Sequence, residues 1–223
     1  MAGAAAVRLD GAPDLLALHG ADVPPDPDAV IALGDVAPEG ADVVWRATPG
    51  DAVPGTRTIA PDGAGLWRRA PLPAADALFA LPPAAAGAGV LVAGGEQAAR
   101  DAAVAALDAA GVTARAVALP GPGALAEAAV VVLAGSPAEP LGALAAPALA
   151  AGRLLLAPRA EPAFGFAAGV DHLAYDDADE LARLAVAAHR HPDAFAPVAV
   201  LGRIAAEAHR ASAVLARLAA DLA

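Results

Sequence analysis

Short, continuously apolar runs alternate with alanine-rich segments in the second part of this 223-residue chain. Residues 90–93, 130–133 and 154–157 are such runs, and segments of helical composition lie between them. Runs without polar alternation are typical of strands that are buried on both faces of a sheet. Strands that alternate with helices build a parallel sheet with helices on both sides. We therefore predict an α/β fold with a Rossmann-like parallel sheet flanked by helices.

Turn formers and helix caps place the other elements of this part. Further strands are predicted at 114–119 and 169–175, and helices at 96–110, at 124–128 and up to 151. Asp177 is predicted to cap another helix, with Glu180 at the capping-box position. After a break at His191 and Pro192, apolar residues at three- and four-residue spacing predict one amphipathic final helix. These residues are Leu201, Ile204, Ala208, Leu215, Leu218 and Leu222.

Proline and glycine divide the first part of the chain into short pieces. Apolar runs at 29–33, 42–45 and 56–59 predict strands there, and residues 14–19 predict a short helix. This part is too short for a complete doubly wound domain. We therefore predict a reduced N-terminal α/β part over residues 1–83 and a Rossmann-like domain over residues 84–223.

Composition excludes several classes of function. The net charge is −11, every basic residue other than histidine is arginine, and aromatic residues are 3% of the chain. A nucleic-acid binder needs a cationic surface and stacking side chains, so we expect no nucleic-acid partner. The absence of cysteine excludes disulfides and thiolate chemistry. Neither a signal peptide nor a membrane span is evident, which predicts a cytoplasmic protein.

Three stretches resemble GT-B glycosyltransferases of group 1 and family 4, in particular the CgeB-like spore-maturation branch. The first is PLPAADALFALPP at 71–83 followed by VLVAG at 90–94, which is similar to the interdomain linker and first C-terminal strand of that family. The second is AEAAVVVLAGSPAEPLG at 126–142, continued by ALAAGR at 148–153. The third is GVDHLAYDDADELA at 169–182, with similar closing segments at 191–192, 202–203 and 207–210.

The resemblance implies a glycosyltransferase that takes a glycosyl group from a nucleotide-sugar donor to an acceptor the sequence does not identify. It implies donor contacts by six residues, which are Gly94, Gly95, Gly135, Ser136, Glu139 and Gly142. Glycines at strand ends let the backbone approach a diphosphate, and a following helix N-terminus favours negative charge. Ser136 and Glu139 also have capping-box spacing, so a purely structural role is open. The family works without a bound metal, and we expect no cofactor.

Departures from the family pattern keep a second interpretation open. The family has a second glutamate eight residues after the first, and this chain has Pro147 there. No cation directly follows Gly94 and Gly95, and Arg100 is the nearest one. The alternative is an inactive GT-B relic that binds a nucleotide, a sugar, a protein partner or a second copy of the chain. A dehydrogenase is disfavoured by the missing glycine fingerprint, and a response regulator by the missing lysine.

Several other polar residues have both a structural and a functional interpretation. His19 is the only histidine of the first part and so its only histidine base, whereas a surface position at a helix end is the ordinary alternative. Arg153 and Arg159 flank a predicted strand, where an arginine meets either an anion or solvent. The histidines are not spaced as metal ligands, and the acids at 176–180 fit the first turn of a helix. We expect no metal site and assign no catalytic residue.

Overall fold

The computed structural model describes residues 7–10, 29–33, 41–46, 51, 54, 56–60, 64–66, 68–69, 72–85, 87–135, 143–159 and 165–222. Within these ranges the strands form two sheets of five strands, and all strand pairs are parallel. In the first sheet the strands lie side by side in chain order. They are β1 (Val7–Asp10), β2 (Ala29–Leu33), β3 (Val43–Trp45), β4 (Arg57–Ala60) and β5 (Arg68–Arg69).

The second sheet reverses its direction of growth after its second strand. Its strands are β6 (Gly89–Ala93), β7 (Ala114–Val117), β8 (Ala128–Leu133), β9 (Leu154–Pro158) and β10 (Leu173–Tyr175). Their spatial order is β10-β9-β8-β6-β7, so β7 lies on one side of β6 and β8 on the other. In an open parallel sheet such a reversal leaves a crevice beyond the carboxyl ends of the two central strands.

Helices cover both faces of the second sheet, as the continuously apolar strands predicted. Alternate strand residues belong to opposite cores: Leu91 and Val131 pack on one side, Val92 and Val132 on the other. The first core includes residues of α3, and the second includes residues of α1 and α4. The helices are α1 (Gln97–Ala109), α2 (Pro122–Glu127), α3 (Ala145–Ala150), α4 (Ala178–Arg190), α5 (Pro192–Ala206) and α6 (Ala211–Leu222).

The predicted cap of α4 is confirmed. The Glu180 backbone N–H donates to the Asp177 carboxylate at 2.8 Å. The Glu180 carboxylate accepts in return from the Asp176 N–H, also at 2.8 Å, one residue earlier than in a standard capping box. The carboxylates near the start of α4 therefore satisfy backbone donors of this turn.

The prediction of one amphipathic final helix is wrong. A 3₁₀ turn, Glu207–His209, and an extended Arg210 (ψ 129°) separate α5 from α6. The break occurs because Ala74 bridges the chain there: its N–H donates to the His209 carbonyl and its carbonyl accepts from the Ala211 N–H, each at 2.8 Å. Ile204, predicted to be part of the apolar stripe, is 62% exposed.

Other boundaries differ in smaller ways. The strands predicted at 29–33, 42–45 and 56–59 are present, but β1 and β5 were not predicted. The strand predicted at 169–175 is formed only by its last three residues, because the Gly169 N–H donates to the His172 carbonyl and closes a turn. The helix predicted at 14–19 lies outside the described residues.

The last helix contacts the first sheet as well as the second part of the chain. Asp221 of α6 forms an ion pair with Arg68 of β5, and α6 contacts β1. The Ser212 N–H at its start donates to the Asp76 carboxylate at 3.2 Å. Within the described part of the chain, no helix is long and apolar enough to cross a membrane.

Candidate functional site

The reversal point of the second sheet brings three of the six predicted donor-site residues to one edge. β6 and β8 are neighbours in register, with Ala93 opposite Leu133. Gly94 and Gly95 therefore leave the sheet beside Gly135, at the carboxyl ends of the two central strands. The other three, Ser136, Glu139 and Gly142, lie outside the described residues. We call the edge formed by residues 94–95 and 134–135 the switch crevice.

Gly95 has a conformation and a location that require glycine. Its φ is +59°, in the left-handed region that side chains rarely adopt. A Cβ built on Gly95 would overlap the carbonyl oxygen of Ala134 and lie 2.9 Å from its carbonyl carbon. Ala134 is itself fixed, because its N–H donates to the Ala93 carbonyl at 2.8 Å. The two backbone segments of the crevice are thus in direct contact.

Arg100 holds the Gly94–Gly95 turn from within the protein. Its buried guanidinium donates to the Gly94 carbonyl at 3.0 Å and also to the Gly95 carbonyl. A further bond joins it to the Gln97 side-chain oxygen at 2.8 Å. The nearest cation to the crevice therefore serves the turn itself, with three of its donors already used.

The N-terminus of α1 points its free backbone donors toward the same turn. Glu96 is the N-cap residue, but its side chain makes no capping hydrogen bond, and the first turn contains no acidic residue. An uncapped helix start carries unsatisfied N–H groups and a partial positive charge. These donors are the main electropositive feature that the described residues offer to an anion at the crevice.

A second cation at this edge of the sheet is already neutralised. Arg159 follows β9, and its Nε donates to the Asp176 carboxylate at 2.9 Å. This hydrogen bond raises the pKa of Arg159 above its ordinary value. Arg153, at the opposite end of β9, is fully buried and distant from the crevice edge. His19 lies outside the described residues.

Tyr175 anchors the end of β8 two residues before Gly135, a role that the sequence analysis missed. Its buried hydroxyl donates to the Leu133 carbonyl at 2.6 Å. Burial raises the pKa of Tyr175 to about 12. The available signal was that the chain's single tyrosine ends an otherwise apolar strand.

We expect Tyr175→Phe to lower the free energy of unfolding by about 1 kcal/mol, because the buried Leu133 carbonyl loses its donor. Chemical denaturation measures this difference. Since Tyr175 is the only tyrosine, its phenolate absorbance in the parent protein gives a direct check. The raised pKa means that this stabilisation is lost as the pH rises above the unfolded value of about 10. A phenolate that titrates at the same pH in the folded and in the urea-unfolded protein contradicts the assignment.

One buried polar pair lies apart from the crevice. His172 Nδ1 is 2.7 Å from an Asp171 carboxylate oxygen, and the other Asp171 oxygen accepts from the Ala167 N–H at 2.8 Å. The Asp171 carbonyl packs directly against Gly202 of α5. The pair thus fixes the turn before β10. Among the described residues, no group of three or more histidine, aspartate or glutamate side chains is arranged to hold a metal.

The architecture of this chain is shared with solved structures of other proteins. No protein-family model matches the chain, and no curated protein matches it. Several solved structures are similar in fold, among them the following three. Sucrose-phosphate synthase from Thermosynechococcus elongatus has a TM-score of 0.56 and 15% identity, over 89% of this chain and 68% of that one. A glycosyltransferase from Rickettsia africae has a TM-score of 0.61 and 8% identity, over 88% and 76% of the two chains.

The third structure is AviGT4, a glycosyltransferase involved in avilamycin A biosynthesis. Its TM-score is 0.55 at 16% identity, over 88% of this chain and 73% of that chain. Two of the three are named as glycosyltransferases, and this chain has the same mixed α/β architecture, of GT-B type, with parallel sheets flanked by helices. The predicted fold class is thereby confirmed. At identities this low, the structural similarity establishes the fold but not the reaction.

Proposed function

We propose that this protein is a glycosyltransferase that binds a nucleotide-sugar donor at the switch crevice and transfers the glycosyl group to an acceptor. The observation that supports it most is the strand order of the second sheet. That order sets Gly94, Gly95 and Gly135 at one edge, beside the uncapped start of α1. Ligands of open α/β sheets bind at such a point, and a diphosphate fits backbone donors and a helix N-terminus.

The leaving diphosphate would be stabilised mainly by the backbone. Arg100 and Arg159 already have partners, and the Gly94 N–H donates to the Ala118 carbonyl at 3.1 Å. Among the described residues at the crevice, the N–H groups at the start of α1 are therefore the donors that remain for the phosphate oxygens. Preorganised backbone dipoles stabilise developing negative charge without a metal. Ser136, Glu139 and Gly142 complete the proposed donor contacts on the strength of the sequence resemblance, which also favours the CgeB-like branch.

The first experiment is calorimetric titration with UDP-, GDP- and dTDP-sugars. We expect one nucleotide to bind with a dissociation constant in the micromolar range. Ala98→Glu places a carboxylate in the first turn of α1, where Ala98 is exposed, and should weaken that binding at least tenfold through charge repulsion. An acid at this position favours the helix, so folding is preserved.

Ala105→Glu is the matched control for this variant. It adds the same charge at an exposed position of the same helix, two turns further on, and should leave donor binding unchanged. Equal weakening by both variants would assign the effect to net charge and would contradict a phosphate site at the start of α1. Absence of binding at millimolar ligand would end the enzyme proposal. Glu139→Ala tests the contact that the resemblance implies.

A non-catalytic sugar or nucleotide binder is the second candidate. Pro147, where the family has its second glutamate, is buried within α3, and its side chain offers no acceptor for a donor ribose. Arg100 is likewise committed to the turn. The test is to incubate the protein with its donor and a panel of acceptors for hours. If the donor binds but no free nucleotide is released, the result favours this candidate over the transferase.

A further inference from the structure

A cavity of about 310 Å³ opens at the end of the second sheet opposite to the switch crevice. Its floor is formed by the beginnings of β8 and β9, and one wall is the first part of α5. The lining is largely apolar and includes Val130, Leu154, Phe195, Ala196, Ala199 and Val200. This volume and this composition are typical of a small-molecule site.

One cationic side chain lines this cavity. Arg203 lines it and is held in place by the Leu81 and Phe79 carbonyls, the former at 3.1 Å. Arg153 is not among the lining residues; it is buried close to Arg203 and donates to the Pro82 carbonyl at 2.9 Å. Neither guanidinium is ion-paired with a carboxylate of the described residues.

Arg153 is 0% exposed, and its Nε and Nη1 have no hydrogen-bond partner. Burial, followed by the charge of Arg203, lowers its pKa below the ordinary value. Among the described residues, the only carboxylate that lines the cavity belongs to Asp193, which is exposed. Arg203, whose charge also acts on the Glu207 carboxylate four residues further on, is thus the cationic group at the polar end of an apolar hollow.

We propose that this cavity binds a small amphiphilic carboxylate, with its acyl or aryl body against the apolar lining and its carboxylate directed to Arg203. A charge-assisted hydrogen bond to a guanidinium is about twice as strong as a neutral one, which selects the anion over an alcohol of the same length. The site is separate from the switch crevice, so it does not depend on donor binding.

Octanoate is the probe, with octanol as the uncharged comparison, both titrated calorimetrically into the full chain. We expect octanoate to bind about tenfold more tightly than octanol because only the carboxylate accepts from Arg203 in its charged form. Octanol binding as tightly as octanoate, or no binding of octanoate at millimolar concentration, would overturn the proposal.

Two pairs of variants locate the binding. Ala196→Phe fills the cavity from an exposed position and should weaken octanoate binding at least tenfold. Ala194→Phe is the control, because Ala194 is exposed on the same helix but lies outside the lining, and it should leave octanoate binding unchanged. Asp193→Asn removes the carboxylate of the lining and should strengthen octanoate binding about threefold at low salt, because the two carboxylates repel each other and salt only partly screens this repulsion. Asp179→Asn, at the start of α4, should have no effect. Equal effects within either pair would refute this location.

Vesicles distinguish a free carboxylate from a membrane lipid as the source of the ligand. A chain of net charge −11 is expected to stay in the supernatant when phosphatidylglycerol vesicles are sedimented. Sedimentation with vesicles that octanoate does not reverse would contradict a site for a free small molecule.

Discussion

Gly95→Ala is expected to lower the free energy of unfolding by about 3 kcal/mol, the sum of left-handed backbone strain and overpacking against a fixed neighbour. The added methyl would overlap the Ala134 carbonyl oxygen, which belongs to the backbone of the neighbouring strand end. Relief would require β6 and β8 to separate at the switch crevice. We therefore expect nucleotide-sugar binding to be lost as well. Chemical denaturation and calorimetry measure the two effects.

Gly111→Ala is the control for backbone strain alone. Gly111 ends α1 with φ +78°, but no atom lies within 4 Å of its added Cβ. Its expected cost is about 1 kcal/mol, with donor binding retained. The expected loss of unfolding free energy for Gly94→Ala lies between these two, since its Cβ would meet only the end of the Leu144 side chain at 3.5 Å. Equal costs at Gly95 and Gly111 would show that the contact with Ala134 is unimportant.

Arg153→Met is expected to raise the free energy of unfolding by about 2 kcal/mol. The substitution removes a buried charge that has no carboxylate partner among the described residues, and two donors without acceptors, each costing about 1–3 kcal/mol. Against this, the Pro82 carbonyl loses one hydrogen bond, worth about 1 kcal/mol. Methionine fills similar volume with a flexible chain, so the core stays packed.

The increase in the free energy of unfolding expected for Arg153→Met should not depend on pH in the neutral range. A base whose pKa falls on folding destabilises the folded state wherever it is protonated, and arginine stays protonated there. Arg183→Met, at an exposed position of α4, is the control and should change stability by less than about 0.5 kcal/mol. A loss of stability in Arg153→Met would mean that the guanidinium has an acceptor in solution.

Strand and helix positions of the second part were predictable because burial on both faces leaves a strong pattern. Residues 130–133 and 154–157 have no polar alternation, and both are strands between two cores. The spatial order of the strands was not predicted. One signal was present, since the charged Arg115 in the short strand β7 is typical of a sheet edge, where β7 lies. Short edge strands such as Val7–Asp10 and Arg68–Arg69 leave no pattern of their own and form through their neighbours.

The candidate site was predictable only in part. Glycines at strand ends marked the crevice because turns of this kind need them. The commitment of Arg100 to the Gly94 and Gly95 carbonyls could not be read from spacing, since it depends on how the turn folds back over α1. The break at Arg210 was missed for a similar reason: it is imposed by Ala74, which is distant in sequence.

The position of α6 has a consequence for how the protein is made. This helix is translated after almost everything it contacts, yet it touches β1 and its Asp221 pairs with Arg68. As the nascent chain leaves the ribosome, the first sheet must wait for α6 before its native contacts are complete. A pause or a frameshift before α6 is translated would therefore impair the strands of the first sheet, and partially synthesised chains would expose them to chaperones and proteases.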